Sequence, residues 1–370
     1  MTKERQTEAR WVIESDGHNI ISLADWEKHA GPKSPKHWKP GRSAYECAAS
    51  WFGRDGRPAI PVELTELLRS SGVTDDAKVL QVLPEHRVRF DDLPGEPRNA
   101  DVNVIAEGRD GRIAISIEAK ADEPFGERVS DVLESAVRKI ATDQPSNAVL
   151  RVQQLAASVF GKGAWERLPL GDVRYQLLTG IAGALAFARE EKASVAVFVV
   201  HEFVTEQTED EKHLQNLRDL NAFVERLTRG RMNALRCTEL VGPIAYPGSP
   251  LFRGGEQPAL YLGKMRRVTR ANGALGVFGV PAEQLEQSCE PSSEGQDWRD
   301  GFDDIRPYAH GEGGGVYLAQ KADDYFVVTS QGALADLLDE ELPSAYVRRF
   351  DSAMARAVWC AERYGRLRLA

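Results

Sequence analysis

DVNVIAEGRDGRIAISIEAK, residues 101–120, decides how this chain folds. Two apolar runs flank a turn signal, Glu107-Gly108-Arg109-Asp110-Gly111, and the whole reads as a β-hairpin. Side chains alternate across a strand. Ile113, Ile115 and Ile117 therefore share one face, and Ala114, Ser116, Glu118 and Lys120 share the other. In a hairpin centred between Arg109 and Asp110, Asp101 stands opposite Glu118; centred one residue later, it stands opposite Lys120. Either register gathers two carboxylates and an ammonium into one cross-strand neighbourhood. An odd-length loop would turn Asp101 to the other face.

Two carboxylates held that close repel unless one is protonated or a cation lies between them. Mg²⁺ binds through one or two carboxylates plus substrate phosphates. A bound metal lowers the pKa of its water and stabilises charge on phosphate oxygens. A neighbouring lysine helps to position the water or to neutralise the transition state. Asp101 with Glu118-x-Lys120 is thus a compact set for phosphodiester hydrolysis, and the bland alternative is a surface hairpin with a cross-strand salt bridge.

The surroundings extend the pattern. Residues 172–190, DVRYQLLTGIAGALAFARE, follow helical spacing, with Asp172 as N-cap and with Gly180 and Gly183 pointing to close packing on a sheet. Residues 193–200, ASVAVFVV, read as a strand buried on both faces. Upstream, residues 43–51 form a helix with Ala44, Cys47, Ala48 and Trp51 on one stripe, and residues 77–90 supply strand material. Ser43 and Glu46 have capping-box spacing. Glu85 and His86 fit an edge strand, and the seven histidines show no metal-ligand spacing. The order is helix, strand, hairpin, helix, strand.

With these residues the chain resembles the PD-(D/E)xK nuclease superfamily, restriction-endonuclease-like in fold. The resemblance implies an α/β fold with an αβββαβ core, in which Asp101 and Glu118 hold Mg²⁺ or Mn²⁺ and Lys120 is the catalytic lysine. It adds Glu46 from the first helix as a further ligand, and Gln176 or Arg174 from the helix after the hairpin. Asn99-Ala100 precedes Asp101 without the proline of the motif name. Pro84-Glu85-His86, EAKADEPFG (118–126) and RYQLLTG (174–180) resemble a little-characterised branch of the same superfamily, which makes Glu123 and the Phe125-Gly126 turn candidates for a loop at the mouth of the site. The function implied is metal-dependent hydrolysis of nucleic acid, DNA ahead of RNA. The alternative is a binding or regulatory module on a degenerate nuclease scaffold.

A length of 370 residues accommodates two domains. The net charge of −9 is uneven: residues 271–370 carry 9 Lys+Arg and 17 Asp+Glu, leaving 38 and 39 for residues 1–270. The expected organisation is a nuclease-like domain over 1–270, with helical insertions at 129–140 and 147–160, and an acidic α+β domain over 271–370. In that second domain, residues 316–330 read as a hairpin and residues 333–364 as helical, broken near Pro343. The sequence assigns no chemistry to this domain, and regulation, binding of a protein partner or homodimer assembly is the expectation. HGEGGG (310–315) lacks the ending of a phosphate-binding loop.

One basic cluster, KSPKHWKPGR (33–42), leads into the Glu46 helix. Lys36, Lys39 and Arg42 around Trp38 suit a phosphate backbone and a stacked base, and Arg174 joins them as a nucleic-acid candidate. Four scattered cysteines form neither a disulfide framework nor a metal pair. A charged N-terminus and apolar runs too short to span a bilayer give no membrane partner and a cytoplasmic setting as the expectation.

Overall fold

The computed structural model describes residues 11–162, 170–205 and 207–269, together with backbone strand segments at 275–277, 304–307, 317–321, 324–328 and 347–350. In chain order the elements begin with β1 (Val12–Ser15), β2 (His18–Asn19), α1 (Leu23–Ala30), α2 (Ser43–Ser50), α3 (Val62–Arg69), β3 (Lys78–Pro84), β4 (Arg87–Val88) and β5 (Arg98–Asn99). The hairpin follows as β6 (Val102–Gly108) and β7 (Gly111–Lys120), then α4 (Val129–Ala141), α5 (Ala148–Val159), α6 (Tyr175–Glu190) and β8 (Val195–Val204). After these come α7 (Asp210–Leu227), β9 (Val241–Ile244), β10 (Ala259–Thr269) and β11 (Leu275–Val277). The last strands are β12 (Asp304–Pro307), β13 (Tyr317–Lys321), β14 (Asp324–Val328) and β15 (Val347–Phe350).

The architecture is mixed α/β. One sheet runs in the order β11-β10-β8-β7-β6-β3-β1-β2, with β9 on β10. β7, β8 and β10 are parallel, joined by helical crossovers, whereas β6 pairs antiparallel with β3 and β7. Helices cover both faces. Ile113, Ile115 and Ile117 pack on the side of α1, α2 and α3, with Cys47, Ala48, Trp51 and Leu67. Ala114, Phe198 and Val200 pack on the side of α5, α6 and α7, with Leu155, Leu177, Ile181 and Phe223. The long central strands are apolar on both faces because both are covered.

The glycines of α6 sit where close packing requires them. A Cβ at Gly180 would meet the Phe198 ring at 2.6 Å. Several boundaries differ from the sequence reading. The α6 N-cap is Arg174, because Leu170–Asp172 forms a separate 3-10 turn, so Asp172 is not the cap. β8 continues to Val204 and carries His201 and Glu202, beyond the apolar run that marked it. Glu85 is not part of an edge strand. It stands in a turn at φ +53, and β4 pairs with β5 just beyond it.

β13 and β14 form the expected hairpin within a separate four-stranded sheet, β12-β13-β14-β15. Residues 347–350 are a strand paired with β14, not helix. The rest of the 333–364 stretch and the glycine run at 310–315 lie outside the described residues. The large sheet itself extends past 270, since β11 pairs with the end of β10. No helix among the described residues is long and apolar enough to cross a membrane.

Candidate active site at the carboxyl end of the central strands

A two-residue loop, Arg109-Asp110, closes the hairpin and sets Gly108 opposite Gly111. That register brings Val102 opposite Ile117 and carries Asp101, one step further, to Glu118. Asp101, Asn103, Ser116, Glu118 and Lys120 therefore share the face covered by α6. Ser116 Oγ donates to Asn103 Oδ1 at 2.6 Å, the polar floor below the charged groups.

Glu118 is the hub. Its Oε1 accepts Lys120 Nζ at 2.7 Å and also Gln176 Nε2 from the first turn of α6. Its Oε2 accepts Arg98 Nη2. Asp101 Oδ2 accepts the backbone N–H of Ala119 at 2.7 Å. Lys120 Nζ lies 5.5 Å from the centroid of the buried Phe125 ring. Asn216 of α7 donates to the Glu123 carbonyl at 2.8 Å and so fastens the loop after Lys120.

Burial and mutual charge set the protonation states. Burial pushes the Asp101 carboxyl up, Glu118 adds to this, and together they raise it to about 8. Burial works against the Glu118 carboxylate too, but Lys120 and Arg98 outweigh it and hold the group below its ordinary value. For Lys120, burial disfavours the ammonium, and Glu118, Asp101 and Glu123 more than compensate, so its pKa lies above the usual lysine value. Burial raises Glu85 as well; its carboxylate accepts Asn99 Nδ2 and acts on Asp101.

The remaining candidates divide. Gln176 joins the cluster directly. Glu46 is buried, but its Oε1 accepts Gly41 N–H at 2.8 Å, and α2 lies on the opposite face of the sheet from α6. The helix cap is Arg42, so Glu46 closes the turn before the helix and no capping box forms with Ser43. Arg174 donates to Asp219 at 2.6 Å and to the Gly126 carbonyl at 2.9 Å, tying α6 to α7 and to the loop after β7. In the basic segment Lys36 and Lys39 are exposed, and Trp38 packs its edge against Tyr45 at 5.6 Å. Arg42 Nη1 reaches both oxygens of Asp122 at 2.9 Å, which attaches this segment to the strand end just past Lys120.

The site includes groups that the sequence does not assign to it: Arg98 goes unmarked there, Glu85 fits an edge strand, and both enter from the connection between β3 and β6. Lys120 neighbours Glu202 in the parallel pairing, and Glu202 neighbours Arg266. Glu202 accepts Lys264 Nζ at 3.1 Å and Arg266 Nη2 at 2.7 Å. Burial disfavours this carboxylate, but the two cations override it and hold it well below the usual range. Alternating His201-Glu202 and Lys264-x-Arg266 at strand ends was the available signal.

Among the described residues, no group of three or more His, Cys, Asp or Glu side chains is arranged to hold a metal ion. Cys47 and Cys237 are free thiols. A family model described as a domain of unknown function (DUF6946) matches residues 19–255, well over half of the chain and the whole of this site. No curated protein and no solved structure matches.

Proposed function

The chain belongs to the DUF6946 family, and we propose that it is a metal-dependent nuclease of the PD-(D/E)xK type, hydrolysing phosphodiesters in nucleic acid, DNA ahead of RNA. The observation that carries this reading is the convergence of Asp101, Glu118 and Lys120 on one sheet face, with Gln176 bonded to Glu118. Glu118 and Lys120 lie at the carboxyl end of β7, in the parallel part of the sheet, where open α/β sheets form their binding crevices.

The donor set suits Mg²⁺ or Mn²⁺ as a two-carboxylate site completed by substrate phosphates. Burial, with Glu118 adding to it, raises the Asp101 carboxyl to about 8, and a divalent cation beside both carboxylates would favour its ionised form. Asp101 and Glu118 would hold the ion. Glu46, engaged by Gly41, is not assigned to it. When bound, the metal would acidify a water and neutralise phosphate charge.

The chain's own groups supply the rest. Lys120, held as an ammonium, donates hydrogen bonds to developing negative charge and does not take up a proton. Gln176 fixes the orientation of Glu118 Oε1. Lys36 and Lys39, exposed on the segment that Arg42 ties to Asp122, are the candidates for contact with a phosphate backbone.

The test is a cleavage panel of single- and double-stranded DNA and RNA with Mg²⁺ or Mn²⁺. Lys120→Ala is expected to lower the rate by ~10² to 10⁴-fold. Cleavage by the variant at the parent rate would remove Lys120 from the chemistry.

A second reading, a binding module on a nuclease-like scaffold, is favoured by one observation. Both Glu118 oxygens are already taken by the chain's own cations, Lys120 on Oε1 and Arg98 on Oε2. Calorimetric titration with Mn²⁺ separates the two, since binding lost in Asp101→Asn supports the nuclease and absence of binding in both proteins supports the module.

A further inference from the structure

Beside the carboxylates lies a cavity of about 260 Å³, walled by the 89–99 segment, by Arg151 of α5 and by Tyr175 and Thr179 of α6. Three guanidinium groups, Arg89, Arg98 and Arg151, outnumber the two carboxylates in the wall, Asp91 and Glu96. They are held in place. Arg89 donates to the carbonyls of Leu93 (3.2 Å) and Gly95 (3.1 Å), and Arg151 Nε donates to Asp91 at 2.6 Å. Phe90 and Tyr175 add flat aromatic surface.

Two features single this cavity out. Arg98 belongs to its wall and also donates to Glu118, so the cavity and the carboxylates share a side chain. In addition, Nε of Arg98 and Oδ1 of Asn99, both on residues of the wall, are buried without a hydrogen-bond partner among the described residues. Buried polar atoms of this kind ordinarily have a partner.

We propose that the cavity receives one nucleotide unit of the substrate, its phosphate toward Arg98 and Arg89 and its base against the Phe90 and Tyr175 rings. Guanidinium groups recognise phosphate with charge-assisted bonds, and every base has a face that stacks on an aromatic ring. The volume admits a single nucleotide and excludes a duplex. A base can enter only from a single strand or after leaving its stack, so the substrate class is single-stranded or unpaired nucleic acid. The identity of the ligand rests on the phosphodiester reading above.

The experiment is calorimetric titration of the metal-free full chain with AMP and dAMP, and in parallel with inorganic phosphate and with adenosine. Nucleoside monophosphates are expected to bind at least ~10-fold more tightly than phosphate alone, the share contributed by stacking. Arg89→Ala should weaken that binding by ~10 to 100-fold. Glu96→Gln, a change at an exposed rim position, should strengthen it and guards against mistaking a misfolded variant for a lost contact. The inference is overturned if neither monophosphate binds at millimolar concentration, if phosphate alone binds as tightly, or if both variants bind like the parent. Cleavage is not part of the readout. A chain that cuts nucleic acid yet binds no nucleotide here would lose this cavity assignment and keep the nuclease reading.

Discussion

Gly183 makes room for Arg98: a Cβ at position 183 would stand 3.0 Å from the Arg98 Cγ. The clearance matters because the Arg98 stem crosses α6 at that point to reach Glu118. A glycine within a helix costs ~1 kcal/mol relative to alanine. Here the missing methyl lets a cation from β5 enter the carboxylate cluster.

Gly183→Ala should therefore destabilise the protein despite its better helix propensity. Overpacking of this kind costs ~1 to 3 kcal/mol. Urea unfolding of the two proteins measures it, and an unchanged or higher midpoint would show that Arg98 can move aside freely.

Arg98→Met keeps the stem and removes the charge from Glu118 Oε2. A hydrogen bond to a charged group contributes ~1.5 to 3 kcal/mol. On the metal-dependent reading, its loss frees a ligand atom, and Mn²⁺ should bind about 10-fold more tightly or better in calorimetry. Weaker Mn²⁺ binding in the variant would mean that Arg98 supports the ion instead of competing with it.

Asp101 makes metal-free stability depend on pH in a definite direction. Its folded pKa, about 8, lies above the ordinary aspartate value, so the folded state holds the proton more tightly than the unfolded chain. The resulting stabilisation is complete in acid and is lost as pH rises through about 8. The stability of the parent minus that of Asp101→Asn should fall between pH 5 and pH 8, by at most ~1.4 kcal/mol per pH unit. Chemical denaturation across that range reads the difference, and a flat curve would contradict the raised carboxyl.

Glu202→Ala leaves Lys264 and Arg266 as buried cations without this shared carboxylate. Removing one partner of a buried ion pair costs ~3 to 5 kcal/mol. A loss below about 1 kcal/mol in equilibrium unfolding would indicate that water reaches the group.

Within the hairpin, the amino-acid order narrowed the choice to a shared face and two registers. Strict alternation of side chains puts Asp101, Glu118 and Lys120 on one face in either even-loop register, because a strand has a period of 2, and the two-residue turn seen in the structure then selects the register with Asp101 opposite Glu118. Helical spacing likewise located α6, on which the resemblance offered Gln176 or Arg174. Both are local rules that act over a few residues. The pairing of β7 with β8 and of β8 with β10 was not legible, since helical crossovers separate these strands and periodicity does not name a partner. The row from Lys120 through Glu202 to Arg266 exists only once that order is fixed. Arg98 was missed, and Glu85 assigned to an edge strand, for the same reason: one reaches Glu118 past a glycine from another element, and the other sits in a left-handed turn. Sequence determined which side chains share a face, because that is set by backbone geometry along one segment. Tertiary structure decided which charges meet, because burial and close packing between distant segments fix those distances.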